Sequence, residues 1–186
     1  MIGSLRGTII DISPVSALLE VQGIGYRIQA PSGTLAGLRM NEETQLFIHD
    51  HVREDAHDLY GFVSKEDLGL FERLINISGV GPKAGLSILS LGTAETVKRA
   101  IMNGDLATLT SVSGIGKKIA QKVILELKGQ LVEDSDASPA DREVSDALVS
   151  LGYSASQARD AIKSIPAEIT DVSDRVREAL KNLSSR

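Results

Sequence analysis

Apolar positions change their period along the chain. From Leu5 to Phe62 they come in short runs rich in branched and aromatic residues: Leu5-Arg6-Gly7-Thr8-Ile9-Ile10, Ala17-Leu18-Leu19-Glu20-Val21, Tyr26-Arg27-Ile28-Gln29-Ala30, Gln45-Leu46-Phe47-Ile48-His49 and Asp58-Leu59-Tyr60-Gly61-Phe62. Ser13-Pro14, Gly23, Pro31-Ser32-Gly33 and Asn41 separate them, so the pattern predicts five short strands. Five short strands in about sixty residues suggest a small closed barrel of the OB type.

Beyond Phe62 the spacing turns helical. Ser64-Lys65-Glu66-Asp67 reads as a helix start of the capping-box kind. Phe71, Leu74 and Ile77 then lead to Ser78-Gly79-Val80-Gly81-Pro82-Lys83, and Ala84, Ile88 and Leu89 follow. Thirty-five positions on, Leu106, Leu109 and Val112 lead to Ser113-Gly114-Ile115-Gly116-Lys117-Lys118, and Ile119, Val123 and Leu127 follow. The repeated unit is helix, glycine-bracketed turn, helix. Between the copies, Leu91-Gly92 stops one helix and Thr93-Ala94-Glu95 starts another that runs to Asn103-Gly104. The helix after the second copy is expected to end at about Gly129. Residues 132–141 are acidic and small, carry a Pro and lack apolar periodicity, which predicts a flexible tether. Three helical signals follow: Val144 to Leu151, stopping at Gly152; a run capped by Ser154-x-x-Gln157; and Val172 to Leu183. The expected architecture is a multi-domain α+β chain, with a barrel over residues 1–63, a tandem helix-hairpin-helix segment over 64–131, the tether, and a small three-helix domain over 142–186.

The paired turns carry the strongest chemical signal. A glycine lacks a Cβ, so the backbone can take positive φ and let a bulky anion approach the peptide N–H groups. A helix start follows each turn, and its unpaired N–H groups and dipole favour a phosphate. Pro82 suits the first position of such a helix, and Lys83, Lys117 and Lys118 add formal positive charge there. Gly79, Val80, Gly81, Gly114, Ile115 and Gly116 are the candidate backbone-gripping positions, with those lysines beside them. The bland alternative is an αα-hairpin corner that uses Gly only for a tight turn. Neither copy closes with Gly-Lys-Ser/Thr, which excludes a phosphate-binding P-loop at these turns.

Composition adds that the protein has no cysteine, and therefore neither disulfides nor thiolate chemistry, which fits a reducing compartment. The first residues lack the apolar core of a signal segment and no run approaches membrane-spanning length, so the expected location is the cytoplasm. A net charge of −5 argues against nucleic acid until it is divided along the chain. Residues 64–131 carry nine basic and six acidic groups, and both flanking segments are net acidic.

The stretch His51-Val52-Arg53-Glu54-Asp55-Ala56-His57 falls between the fourth and fifth strands, where Glu54 and Asp55 would project from a hairpin tip. The plain reading is a solvated turn. Facing DNA, the two carboxylates would repel phosphates at short range, and Arg53 could hold a strand. A metal-dependent nuclease using His49, His51 and His57 is the rival reading, but the segment offers too few converging oxygen ligands, and no metal or other cofactor is expected. Base stacking on Tyr26, Phe47, Tyr60 and Phe62 is a further reading; their apolar neighbours favour packing instead.

Several stretches together resemble one family. Met1-Ile2-Gly3-x-Leu5-Arg6-Gly7, Gly23-Ile24-Gly25-Tyr26, Val52-Arg53-Glu54-Asp55-Ala56-x-x-Leu59-Tyr60-Gly61-Phe62, the paired hairpins and Ala147-Leu148-x-x-Leu151-Gly152-Tyr153 closely resemble the RuvA family of bacterial Holliday-junction-binding subunits, in the same order and over essentially the whole chain. The resemblance implies sequence-independent binding of four-way DNA junctions in recombination and repair, within a branch-migration helicase complex. It implies a homotetramer, with one tetramer or two facing ones on the junction left open. It also implies that Glu54 and Asp55 form an acidic pin at the crossover while the hairpins hold the arms. The C-terminal domain, of UBA-like type, would dock the hexameric ATPase RuvB, with Leu148, Leu151, Gly152 and Tyr153 as candidate docking residues; the endonuclease RuvC is a candidate for the same complex. Catalysis of ATP hydrolysis would belong to the partner, since this chain has no Walker-type motif.

Overall fold

The computed structural model describes residues 1–136, 138–166 and 168–184. It divides into two compact units, Met1–Leu131 and Val132–Arg186.

In the first unit, β1 (Ser4–Ile12), β2 (Ser16–Val21), β3 (Ile24–Gln29), β4 (Glu43–Val52) and β5 (His57–Phe62) close into a barrel in the order β1-β2-β3-β5-β4. β4 returns to pair with β1, and only the β3–β5 pairing is parallel. Strand alternation places Ile9, Leu19, Ile28, Leu46, Ile48 and Leu59 inside, all at most 7% exposed. The β2–β3 loop is Gln22-Gly23, both with positive φ, the geometry whose twist matches a two-residue hairpin. A short helix, α1 (Ser32–Gly37), lies where the sequence showed only turn residues, and Leu35 anchors it in the barrel core. Six residues are too few for a 3.6-residue period to declare itself.

α2 (Lys65–Ile75), α3 (Pro82–Leu89), α4 (Ala94–Met102), α5 (Leu106–Thr110) and α6 (Lys117–Asp136) follow. Their apolar faces gather Phe71, Leu74, Ile88, Ile101, Leu109 and Leu127 into a second core. That core is shared with the barrel. Leu59 and Gly61 of β5 face the barrel interior, whereas Tyr60 and Phe62, on the opposite face, pack with the helices; the Phe62 and Phe71 ring centroids lie 4.8 Å apart. His49 of β4 pairs with Glu72 of α2 at 3.1 Å. The barrel and hairpin segments thus form one body. Tyr60 and Phe62 are at most 3% exposed, so they pack and do not offer a surface for bases.

In the second unit, α7 (Pro139–Ser150), α8 (Ala155–Lys163) and α9 (Val172–Ser184) enclose Val144, Leu148, Ala158, Ala161 and Ala179. Ser138 with Asp141, and Ser154 with Gln157, close reciprocal capping boxes at the starts of α7 and α8. The Arg175 guanidinium bonds the Asp141 carboxylate and the Ile169 carbonyl, the latter at 2.8 Å, tying α9 to α7. Burial alone raises the Asp141 pKa, but donation from the Ser138 hydroxyl and from Arg175 outweighs it and holds the carboxyl below its ordinary value.

α6 runs well past Gly129, and helical backbone covers 132–136 and 139–141 of the stretch expected to be a structureless tether; Ala137 lies outside the described residues. Two local causes account for the difference. Ala120, Val123, Leu127 and Leu131 carry the buried stripe of α6 two residues past the expected end, and the Ser138 capping box starts α7 early. The division between the two units still falls at the start of the acidic stretch.

Candidate nucleic-acid interface

The two glycine turns have the same geometry. Gly79 and Gly114 take φ of +96° and +84°, a region that costs other residues strain. The N–H of Val80 reaches the carbonyl of Ile77 at 2.9 Å, and that of Ile115 reaches Val112 at 3.1 Å. Gly81 accepts from the N–H of Gly85 at 2.9 Å, and Gly116 from Ala120 at 3.0 Å, each opening the helix that follows. The middle residues, Val80 and Ile115, are 3% and 4% exposed. They plug the turns into the core, and their N–H groups are already used, so they anchor the turns and do not themselves grip a ligand. This corrects their placement among the gripping residues; a β-branched apolar side chain between two glycines is an anchor.

The second glycine of each turn differs from the first. Gly81 sits at φ −84° and ψ 172°, allowed for any residue, and provides no side-chain cap for α3. A Cβ added at Gly81 or Gly116 would meet nothing within 4 Å in the chain. Pro82 occupies the first turn of α3, whose leading N–H groups have no partner within the helix. Lys83, Lys117 and Lys118 are exposed, and among the described residues none has an ion-pair partner.

The turns are neighbours. A Cβ at Gly79 would come 4.0 Å from Ile119 of α6, and Lys122 Nζ donates to the Ser78 carbonyl oxygen at 3.2 Å while lying 3.7 Å from Glu126. A bond between residues forty-four positions apart leaves no local trace in the sequence.

Glu54 and Asp55 are exposed at the tip of the β4–β5 hairpin, closed by the Arg53 N–H on the Ala56 carbonyl at 2.8 Å. Arg53 pairs with Asp58 at 3.1 Å and remains half exposed. His57 Nε2 lies 2.5 Å from Asp50 Oδ1. Donation from the Ile2 N–H, aided by His57, holds the Asp50 carboxyl below its ordinary pKa. Alternation puts His49 and His51 on one face of β4, whereas His57, opposite Val52, lies on the other. The three imidazoles therefore do not converge as the metal-nuclease reading required. In the C-terminal unit, Leu151 is 61% exposed just before Gly152, and Tyr153 is half-buried. Leu148 is fully buried, which corrects its placement as a docking residue: it holds the three helices together.

Comparison with known proteins covers the whole of this arrangement. Residues 1–61 match the RuvA N-terminal domain, 71–128 the SAM-like helix-hairpin-helix tandem and 139–184 the RuvA C-terminal domain. A protein of Chloroflexus aggregans is 43% identical over 195 residues, covering 100% of both chains. One of Polynucleobacter asymbioticus is 43% identical over 192 residues, covering 99% of each, and one of Neisseria meningitidis is 40% identical over 193 residues, covering 98% of this chain and 99% of the relative. All three bear the name Holliday junction branch migration complex subunit RuvA. With the barrel, the paired glycine turns and the C-terminal helices each matched in order, this chain belongs to the RuvA family.

Proposed function

We propose that the chain is a non-catalytic subunit that binds four-way DNA junctions by shape and charge, without reading sequence, and holds them for a partner ATPase. The observation that carries this is the open space at Gly81 and Gly116. The bare backbone there leaves room for an outside group to approach closely, and the unpaired lysines beside it favour an anion. Gly79, Gly81, Lys83, Gly114, Gly116, Lys117 and Lys118 would hold phosphates on the arms, with Arg53 near the crossover. Glu54 and Asp55 would repel backbone at the centre and favour parted strands.

The names of the relatives, as branch-migration complex subunits, support a partner motor. Without a P-loop sequence at either glycine turn, ATP hydrolysis is assigned to that motor, a RuvB-type hexamer, with docking through Leu151, Gly152 and Tyr153. A RuvC-type endonuclease in the same complex, a homotetramer with four-fold symmetry, one or two of which bind each junction, and a cytoplasmic location complete the reading. Among the described residues no helix is long and apolar enough to cross a membrane.

Gel shift with a synthetic four-way junction and a linear duplex of equal length tests it. Clearly tighter junction binding is expected, with DNA left intact in Mg²⁺. Equal affinity for both, or cleavage by the purified chain, would overturn it.

A further inference from the structure

The acidic tip stands on a ribbon that extends beyond the ladder pairing of the barrel. β1 pairs with β4 only as far as Phe47, with one further bond from the Ile48 N–H to Gly3 at 2.9 Å, and β3 pairs with β5 only at Leu59 and Tyr60. Residues 49–58 are therefore a two-stranded ribbon whose strands have only each other as ladder partners. Such ribbons are marginal by themselves, and two like charges at the tip add repulsion.

Two carboxylates sit at its base, one on each face. On the face continuous with the barrel interior, Asp50 accepts the Ile2 N–H at 2.7 Å and pairs across the ribbon with His57 at 2.5 Å. On the opposite face, Asp58 accepts from Gln29 Nε2 at 3.2 Å and pairs across the ribbon with Arg53 at 3.1 Å. Asp50 thus has two ties to the barrel body, the Ile2 N–H and the Met1 ammonium at 3.9 Å, and Asp58 has one, while each carboxylate has one tie to the other strand. Glu54 and Asp55 take part in none of these ties.

We propose that Asp50 and Asp58 are positioning residues that buttress the ribbon from its two faces and fix the direction in which Glu54 and Asp55 meet a DNA crossover. This rests on the strand-parting role assigned to the tip. The buttresses act on posture, and the charge that acts on DNA remains at the tip.

A four-way junction carrying 2-aminopurine at the crossover reports unstacking when the full-length protein binds. Glu54→Gln with Asp55→Asn tests the tip itself, and unchanged emission there would overturn the strand-parting role and this proposal with it. His57→Leu tests the buttress at a half-exposed position where folding is not at risk. It removes an ionisable base and leaves every carboxylate in place, so a purely electrostatic tip would open the junction equally or more. The buttress predicts the reverse: the emission gain falls by about half, while junction affinity stays within about twofold. His57→Lys, which supplies a cation for Asp50, should restore the gain. Asp50→Asn combined with Asp58→Asn should lower it further than His57→Leu does. Parental emission from His57→Leu, with the tip variant impaired, would overturn the buttress alone, as would equal impairment of His57→Leu and His57→Lys.

Discussion

Asp67 Oδ1 accepts the backbone N–H of Ala94 at 3.0 Å, while its Oδ2 takes the hydroxyl of Ser64 at 2.8 Å. One carboxylate thereby completes the start of α2 and satisfies an N–H in the first turn of α4 that the helix itself leaves unpaired. Asp67→Ala should lower the stability of the Met1–Leu131 unit by about 1–3 kcal/mol. Asp67→Asn should recover part of it. Denaturant unfolding followed by far-UV circular dichroism checks this, and an unchanged midpoint would remove the bridge from the account.

The paired glycines should separate stability from binding. Gly79→Ala and Gly114→Ala force a side chain into positive φ and should each cost about 1 kcal/mol in stability. Gly81→Ala and Gly116→Ala meet open space within the chain, so melting should hold while junction affinity drops. Parental affinity in both of the second pair would show that no backbone approaches those positions.

Salt dependence can count the lysine contacts. Lys83→Ala and Lys118→Ala should weaken binding to all sequences alike, and each lost phosphate contact should flatten the slope of log K against log salt by about 0.9 per subunit. Weaker binding at an unchanged slope would mean that the lysine acts on the fold and not on a phosphate.

Acid should weaken the protein through identifiable carboxylates. The Thr108 hydroxyl and backbone N–H lower the Asp105 pKa, and Asp141 is lowered by Ser138 and Arg175 against its burial. A depressed folded pKa contributes stability that is complete above the unfolded value, near pH 4, and is lost as pH falls through the folded value. Stability should therefore begin to fall as the pH drops below about 4. The Asp105→Asn variant should lose less below that pH than the parent, as thermal melts at each pH would show. Identical pH profiles would contradict the assignment.

In the C-terminal unit, Leu148 and Leu151 should fail in different ways. Leu148→Ala empties a fully buried site and should destabilise the three helices by about 2–5 kcal/mol. Leu151→Ala should leave melting unchanged and reduce stimulation of the partner ATPase. Intact stimulation in the Leu151 variant would move docking to another surface.

Local pattern was enough for whatever local physics governs. Period-two runs give the five strands, the glycine pairs give both hairpin turns, and Ser64, Ser154 and the stop at Asn103-Gly104 mark helix ends through bonds spanning a few residues. The thirty-five-residue repeat and the local excess of basic groups point to phosphate for the same reason: both are properties of short stretches. Tertiary structure alone decided which of these residues face inward. A candidate list cannot tell that Val80 and Ile115 plug a core, that Leu148 is interior while Leu151 is not, or that Tyr60 and Phe62 join barrel to hairpins. Nor does the sequence announce that Asp50 meets Ile2, that Asp67 meets Ala94 or that Lys122 meets Ser78, since each bond joins residues at least twenty-seven positions apart and exists only because the packed cores bring the two backbones together.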